Sequence, residues 1–237
     1  MIADYLLLIT VLIMLLNIML TMIFCRVMKK KTVIKNTLDV KKSDTRPGTL
    51  KSSLNGELFS YLYGLARYNA IVIGKFPSHR IRKLFYKYVF CMNLDKQTVI
   101  YGGCEIRSPW NITIGKSTIG VACILDGRYG IEIRDSVCLG GGVHIWTAQH
   151  DVQDPNFSTV GKCEKVILEE YVWLASNSTI LPGIIAHEGS VLASGGIATK
   201  DMETYTIYGG IPAEKIGIRN LDLHYKCGNV VGYWHFY

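Results

Sequence analysis

Histidine and cysteine are the residues of this sequence whose side chains can take part in the most kinds of chemistry: disulfide formation, metal binding and proton transfer. The seven cysteines are an odd number and none form a Cys-x-x-Cys pair, so they predict neither a disulfide framework nor a zinc site, in agreement with a reducing compartment. A histidine-bound metal needs three converging imidazoles. His144 and His150 are close in sequence, but His187 lies far beyond them and the remaining histidines complete no set. The sequence therefore predicts no metal site, and it leaves proton transfer near neutral pH as the chemistry that an imidazole could supply.

A six-residue period organises the part of the chain that must position these side chains. Aliphatic residues recur at this step, with short slips and one long interruption at 148–165. They are Leu94, Ile100, Ile106, Ile112, then Ile114, Ile119, Leu125, Ile131, then Ile133, Leu139, Ile145, and finally Leu168, Leu174, Ile180, Ala186, Leu192 and Ala198. Helical periodicity and strand alternation do not produce this pattern, whereas the hexapeptide repeat of parallel β-helices does. We expect three hexads to close one triangular coil, with His150 in a loop where the period breaks.

An uncharged run near the N-terminus predicts a membrane helix. Residues 5–25 contain no charged residue and one amide, Asn17, and as a helix they would measure about 31 Å, enough to cross a hydrocarbon core. Asp4 precedes the run and basic residues follow it. This asymmetry predicts a single-pass protein of the cell inner membrane with a cytoplasmic body. A cleaved signal peptide is the alternative; it fits less well because the basic residues follow the apolar run and no small-residue cleavage pattern comes next.

The segment between this run and the repeats is basic and then amphipathic. We expect a transmembrane anchor over residues 1–28, a basic juxtamembrane linker over 29–55 and a helical cap over 56–93. Deletion of residues 1–45 should then leave the remainder folded. The net charge of +7 lies mostly beside the anchor, which suits an anionic bilayer surface and not nucleic acid.

Residues 77–92 interleave basic and apolar side chains at helical spacing. The basic members are Arg80, Arg82, Lys83 and Lys87, and the apolar members are Ile81, Leu84, Phe85, Tyr88 and Val89. The apolar stripe could lie on the membrane interface or cover the first coil of the repeats, and the two roles are compatible.

Three stretches of the repeat region resemble the hexapeptide-repeat acyltransferases. They are GVHIWTAQHD (142–151), VWLASNSTILPGI (172–184) and ATKDMETYTIYGGIPAEKI (198–216). The resemblance is to the branch of maltose and galactoside acetyltransferases and polysaccharide O-acetyltransferases. It implies a mainly β protein with a left-handed parallel β-helix over 94–217, a loop at 148–165 and a C-terminal aromatic tail at 218–237. It also implies a homotrimer that binds acetyl-CoA in clefts between neighbouring shafts.

The resemblance assigns roles around the loop. It implies that His150 is the general base that deprotonates a sugar hydroxyl as the hydroxyl attacks a thioester. Asp151 either holds the imidazole tautomer or begins the loop as a turn residue. Asp126 and Trp146 are implied to line the acceptor pocket, with turn chemistry at Asp126-Gly127 and simple packing of Trp146 as the alternatives.

A further set of positions matches those that contact acetyl-CoA in the family. These cofactor-binding candidates are Trp173, Ala175, Ser176, Ser194, Thr199, Lys200 and Lys215. The first three are implied to border the pantetheine arm, and Ser194, Thr199 and Lys200 to contact the arm and the adenine end. Lys200, Lys215 and Arg219 could meet phosphates, and for the last two a solvated basic end is an equal alternative.

We therefore expect an acetyl-CoA-dependent O-acetyltransferase that acts on a sugar hydroxyl of a cell-surface polysaccharide or its precursor. Val121 and Ala122 stand where several sugar acetyltransferases carry an asparagine before the matching Leu-Asp pair, which argues against free disaccharides as acceptors. The alternatives are N-acetylation of a nucleotide-linked amino sugar and a non-catalytic scaffold at the membrane face. A zinc enzyme on the same fold would need three converging histidines.

Overall fold

The computed structural model describes residues 2–38, 54–157 and 163–228. Within these ranges the helices are α1 (Ile2–Leu38), α2 (Leu54–Gly74) and α3 (His79–Tyr88). Helix α1 continues past residue 28, where the sequence predicted the end of the anchor, into the segment predicted as linker. The rest of that linker up to residue 53 and the end of the predicted aromatic tail, 229–237, lie outside the described residues.

Short parallel strands make up the rest of the fold. They are β1 (Asn93–Leu94), β2 (Val99–Ile100), β3 (Glu105–Arg107), β4 (Ile112–Ile114), β5 (Thr118–Ile119), β6 (Ile124–Asp126), β7 (Ile131–Ile133), β8 (Cys138–Leu139), β9 (His144–Ile145), β10 (Val166–Leu168), β11 (Trp173–Leu174), β12 (Thr179–Ile180), β13 (Ile185–Ala186), β14 (Val191–Leu192), β15 (Ile197–Ala198), β16 (Thr206–Gly209) and β17 (Glu214–Ile218). A 3-10 turn, Pro109–Asn111, joins β3 to β4.

Strands that are three places apart in the chain pair with each other. The described strands therefore form three sheets, which are the three faces of one shaft. Face 1 has the order β1-β4-β7-β10-β13, face 2 the order β2-β5-β8-β11-β14-β16, and face 3 the order β3-β6-β9-β12-β15. Strand β17 closes face 2 as an antiparallel edge. The predicted parallel β-solenoid of hexapeptide coils is confirmed, with about six turns in the described part of the chain.

Strand register explains the six-residue period and its slips. On face 2, Ile100, Ile119 and Leu139 pair in successive rungs and are buried in the shaft, so each aliphatic side chain covers the one below. Burial of one such side chain contributes about 1.5–3 kcal/mol. The slips fall on face 1, where β4 buries both Ile112 and Ile114. A rung with two inward residues needs two more residues than a rung with one, and the period shifts accordingly.

Helix α2 covers the open edge of the first coil on face 3. It runs antiparallel to β3: the amide of Gly103 donates to the carbonyl of Gly74 at 2.8 Å, and the hydroxyls of Tyr63 and Ser108 are hydrogen-bonded at 3.1 Å near the other end. An uncovered strand edge would leave a row of backbone groups unpaired, so the cap completes the sheet as well as the core.

Helix α3 covers the edge of β2, but with a different side than the sequence predicted. Arg82, which helical spacing placed in the basic stripe, is fully buried and donates to the carbonyl of Ile100 at 2.9 Å. Three members of the apolar stripe, Ile81, Leu84 and Tyr88, are exposed instead. A guanidinium suits this place because it can satisfy carbonyls at the strand edge, which an aliphatic side chain cannot do.

The second half of α1 is part of the folded domain. Thr21, Phe24 and Cys25 are buried, and the Phe24 ring meets that of Trp110 edge-on at 5.6 Å. Residues 5–16 are exposed along their whole length. Removing this second half would uncover part of the core, so we expect that only the first half of the helix can be separated from the fold as a tether.

Candidate active site

The loop that interrupts the repeat leaves the shaft at the corner between face 3 and face 1, after β9. Ala148 and Cys163 form an antiparallel bridge that closes the neck of this loop. The hydroxyl of Thr147 fixes the neck to the coil below by donating to the carbonyl of Asp126 at 2.6 Å. The described part of the loop, up to residue 157, is therefore attached to a rigid corner of the solenoid.

His150 lies just beyond this neck and is exposed. Its ring stacks on that of Phe157, with centroids 4.2 Å apart and planes 7° from parallel. Nδ1 of His150 is 3.2 Å from the carbonyl oxygen of Phe157. Because a carbonyl oxygen can only accept, this contact places the proton of the neutral imidazole on Nδ1 and the lone pair on Nε2. The ring is therefore held at the protein surface by contacts with Phe157.

Asp151 is engaged in a turn within the loop. Its Oδ1 accepts a hydrogen bond from the amide of Gln153 at 2.9 Å. This geometry matches the turn interpretation of the two that the sequence left open. The contact that orients the His150 ring comes from the carbonyl of Phe157.

The carboxylate of Asp126 faces a cation of its own chain. Arg128 donates to Asp126 from Nη2 at 2.7 Å and from Nε at 2.8 Å, and its amide donates to Oδ1 at 3.3 Å. The hydrogen bonds that Arg128 donates to this carboxylate raise the pKa of Arg128. Asp126 is fully buried while Arg128 is 38% exposed, so the guanidinium reaches the surface. Asp126 thus acts as a turn residue that positions Arg128, which the sequence analysis missed.

Trp146 lies next to a charged pair on face 3. The guanidinium carbon of Arg107 is 5.0 Å from the centroid of the Trp146 ring, and its Nε donates to Glu105 at 2.8 Å. His144 meets Trp146 edge-on at 5.9 Å. Arg107 was also missed by the sequence analysis; its place at the end of β3, opposite Asp126 in the register, was the signal that could have revealed it. Trp146 therefore contributes to a mixed aromatic and basic surface below the loop.

Three of the predicted cofactor residues line one groove on face 2. Trp173, Ala175 and Ser194 border a groove of about 380 Å³. The other side chains that line it are Val191, Ala193, Ile207 and Arg219. Ser176 lies one rung below Ser194 at the same corner, where its carbonyl accepts from the amide of Gly195 at 3.0 Å. The groove is mostly apolar with a guanidinium at its edge, which suits an apolar arm that ends in an anionic group.

The remaining cofactor candidates lie elsewhere. Lys200 and Lys215 border a separate depression of about 240 Å³, and Thr199 is exposed beside Lys200. The Lys215 ammonium donates to Glu203 at 2.9 Å, and this hydrogen bond raises the pKa of Lys215. Among the described residues, no group of three His, Cys, Asp or Glu side chains is arranged to hold a metal ion.

His150 and the groove occupy different sides of one shaft. The loop of His150 leaves the corner that joins face 3 to face 1, whereas Trp173 lies on face 2. A reaction that uses both within one site therefore needs the face 2 of a second copy beside the loop of the first.

Curated proteins of similar sequence include several acetyltransferases, although no family model matches the chain. A chloramphenicol acetyltransferase of Klebsiella aerogenes is 36% identical over 74 residues, 30% of this chain and 35% of that protein. A galactoside O-acetyltransferase of Lactococcus lactis is 28% identical over 119 residues, covering 46% and 57% of the two chains. A dTDP-4-amino-4,6-dideoxy-D-glucose acyltransferase of Escherichia coli is 26% identical over 123 residues, covering 52% and 64%. The chain thus spans between about a third and two thirds of the length of these relatives.

Solved structures share the fold. A maltose O-acetyltransferase from Clostridium difficile superposes with a TM-score of 0.62 and 23% identity, over 70% of this chain and 90% of that one. A hexapeptide-repeat acetyltransferase from Vibrio cholerae, complexed with acetyl-CoA, gives a TM-score of 0.62 and 21% identity, over 72% and 93%. The shared architecture defines a hexapeptide-repeat β-solenoid protein. The chain is thus similar in sequence to parts of several acetyltransferases, and it shares its fold with hexapeptide-repeat acetyltransferases.

Proposed function

We propose that this protein is an acetyl-CoA-dependent O-acetyltransferase that modifies a sugar hydroxyl, with His150 as the general base. The observation that carries the proposal is the placement of His150, which is exposed on the loop beyond its neck with its ring stacked on Phe157 and its Nδ1 3.2 Å from the carbonyl oxygen of that residue. A sugar hydroxyl is a poor nucleophile near neutral pH, and a positioned imidazole contributes about 10²- to 10⁴-fold to such a reaction.

The proposed step balances with these groups alone. Nε2 of His150 accepts the hydroxyl proton while the oxygen attacks the thioester carbonyl carbon. The carbon–sulfur bond breaks, the acetyl group remains on the sugar oxygen, and the imidazolium returns its proton to the departing sulfur. The stack on Phe157 and the hydrogen bond at Nδ1 keep the ring in one orientation throughout, which limits the reorganisation that the step requires.

The groove on face 2 is the proposed site of the acyl donor. Trp173 and Ala175 supply an apolar wall for the pantetheine arm, and Ser194 offers a polar group at the corner. Arg219 stands at the edge of the groove, where a guanidinium could pair with phosphate. We place Thr199, Lys200 and Lys215 nearer the nucleotide end. A homotrimer of parallel shafts would set this groove beside the loop of a neighbouring copy.

We further place the acceptor on a cell-surface polysaccharide or its precursor, at the cytoplasmic face of the inner membrane. Helix α1 supports this, because one part of it, Asp4–Val33, is long and apolar enough to cross a membrane. A membrane-held enzyme meets a membrane-held acceptor at raised local concentration.

N-acylation of an amino sugar is a second candidate. The similarity to a dTDP-4-amino-4,6-dideoxy-D-glucose acyltransferase favours it. The two reactions differ in the acceptor atom: an uncharged amine is a far better nucleophile than a hydroxyl, so an amine acceptor would depend less on His150.

The test is acetyl transfer by the purified full chain in detergent or lipid. Release of free CoA thiol from acetyl-CoA would be followed with matched hydroxyl and amino sugars, free and lipid-linked, and the products examined by mass spectrometry. We expect CoA release that depends on a hydroxyl acceptor and a product with one ester-linked acetyl group. Release only with amino sugars would support the second candidate, and no acetyl-CoA binding at all would refute both.

A further inference from the structure

The cap helices carry apolar stripes on their solvent side. On α2 the exposed stripe has the spacing i, i+3, i+10, i+14, and on α3 it has the spacing i, i+3, i+7. The members are Leu58, Tyr61, Tyr68 and Val72 on α2, and Ile81, Leu84 and Tyr88 on α3. A helix that packs on a core normally turns polar residues to water on this side. Each cap helix therefore has one side that packs on the solenoid or on α1 and a second apolar side directed outward.

Helix α1 extends this apolar surface. It runs antiparallel to α2: the Phe24 and Phe59 rings lie 5.7 Å apart, and further along the side-chain amide of Asn69 donates to Asn17 at 2.6 Å and to Thr21 at 2.7 Å. The polar side chains of Asn17 and Thr21 in the middle of α1 thus have hydrogen-bond partners on α2. Helix α1 is therefore packed against the cap and is not connected to it by a linker alone. The exposed residues 5–16 continue from this contact.

The cap helices lie across the end of the shaft. Strands of a solenoid run around its axis, and α2 is antiparallel to β3 because Gly74 lies beside Gly103 while Tyr63 lies beside Ser108. Since α1 packs antiparallel to α2, it too runs across the end of the shaft and not along its axis. The outward sides of α1, α2 and α3 therefore form one surface, the base of the solenoid.

We propose that this base sits in the interface of an anionic bilayer, so that α1 lies along the membrane surface as a rigid part of the domain and α2 and α3 rest in the headgroup region beside it. The base is continuous with residues 5–16 of α1, which are apolar and exposed on every side, and a single protein partner would have to enclose them completely. Tyr61, Tyr68 and Tyr88 on the base are of the type that concentrates at membrane interfaces.

Charge also favours lipid as the occupant. Lys75, Arg80 and Lys87 are exposed around α3, and Arg26 and Lys30 are exposed on α1 beyond its apolar half. Basic side chains beside an apolar helical surface are attracted to anionic headgroups. A second copy of the same chain would instead bring identical cations face to face.

This position on the bilayer determines the distance between the candidate active site and the lipid interface. The loop of His150 leaves the third coil, two rungs above the first, which is about 10 Å at the spacing of neighbouring strands. The layer of cap helices adds about 10 Å. His150 would stand about 20 Å above the lipid interface. If the proposed function holds, the acceptor is then a glycan carried at that height on a membrane lipid.

Quenching of tryptophan by lipid measures the seating without any assay of activity. The full chain would be reconstituted in anionic vesicles whose acyl chains carry bromine. The variants are Leu84→Trp and Tyr68→Trp on the base, and Ile216→Trp, exposed on β17 at the opposite end of the shaft, is the matched control. The wild-type emission provides the background of the native tryptophans. Tyr88→Trp, an aromatic exchange on the same surface, serves if Leu84→Trp alters the fold.

We expect the emission added at positions 84 and 68 to be lost in brominated vesicles, and that added at position 216 to persist. Equal quenching at all three positions, or none at any, would overturn the proposal. Blue-shifted emission at 84 and 68 without quenching would also overturn it, because that result means that protein covers the base. Since acetyl transfer is not measured, failure of the proposed function and failure of this seating are separate results.

Discussion

The chemistry of the candidate site depends on one ring nitrogen. A histidine can act as a base only through the nitrogen that lacks a proton, and the carbonyl of Phe157 at 3.2 Å from Nδ1 assigns that nitrogen as Nε2. The partner in this contact is a backbone carbonyl, whose position is set by the loop itself.

Replacing His150 with alanine tests this role. We expect His150→Ala to lower turnover at least about 100-fold while acetyl-CoA binding is retained, because only the proton transfer is removed. Turnover and binding would be measured by CoA release and calorimetry. His187→Ala is the matched control, since His187 is a half-exposed residue whose Nδ1 lies 3.1 Å from Glu169 on another coil. Unchanged turnover in His150→Ala would remove this residue from the mechanism.

A pair of thiols next to the groove makes a second prediction at this scale. A hydrogen bond from Cys227 lowers the pKa of Cys138 from 9.0 to about 7. The thiolate is the reactive form, so alkylation of Cys138 should rise with pH and reach half its maximum near pH 7. Cys227→Ala removes the hydrogen bond and should move this midpoint upward, toward 9.0. Peptide mass spectrometry after brief iodoacetamide treatment would report it, and an unchanged midpoint would contradict the pairing.

Individual site residues were predictable where their roles are local. The motif around His150 located the loop, and the repeat placed Trp173, Ala175 and Ser194 together on the groove. Asp126 was not predictable, because the side chain that covers it, Arg128, folds back across a turn of two residues. Which of two neighbouring charged groups becomes buried depends on the packing of the coil, and sequence spacing does not contain that information.

At the scale of elements, the helix that closes the shaft uses charge where an apolar side chain was expected. The open edge of β2 presents carbonyl groups, and Arg82 of α3 donates to that of Ile100 and to that of Phe76. The period of the repeat follows from burial alone and could be predicted residue by residue. Which side of α3 packs on the shaft depends on which backbone groups of the first coil need hydrogen-bond partners. Those groups can be identified only when the fold of the first coil is known.

The stability of the cap therefore depends on Arg82. Arg82→Leu should lower the free energy of unfolding by about 3–5 kcal/mol, because buried carbonyls lose their donors while the aliphatic side chain supplies none. Arg80→Leu, on the exposed side of the same helix, should change stability by less than about 0.5 kcal/mol. Thermal unfolding in detergent followed by circular dichroism would compare the two. Equal stability of both variants would mean that α3 does not depend on these hydrogen bonds.

At the scale of the molecule, α1 has an exposed apolar first half and a second half that belongs to the core of the fold. Deletion of residues 1–16 should leave a chain that folds with nearly unchanged stability, because the side chains that the structure describes in this segment, those of residues 4–16, are all exposed. Deletion of residues 1–31 also removes Phe24 and Cys25 from the core and uncovers Trp110, so this chain should unfold at lower temperature and aggregate. Size exclusion and thermal unfolding would separate the two. A stable, monodisperse product of the longer deletion would show that the helix is a simple tether.

The positions of His150 and of the groove on one shaft have a consequence for oligomers of this chain. If each site takes His150 from one copy and the face 2 groove from its neighbour, a copy that lacks the base can still supply a groove. His150→Ala and Trp173→Glu chains, each inactive alone, should therefore restore activity when they are refolded or expressed together. In a closed trimer that contains both kinds of chain, one site in three, about one third of the sites, would combine an intact His150 with an intact groove. Co-expression with two distinguishable tags, followed by tandem purification and measurement of CoA release, gives this fraction. If the mixed assemblies form but show no activity above either parent, then base and groove act within a single chain, and the proposed trimeric site is wrong.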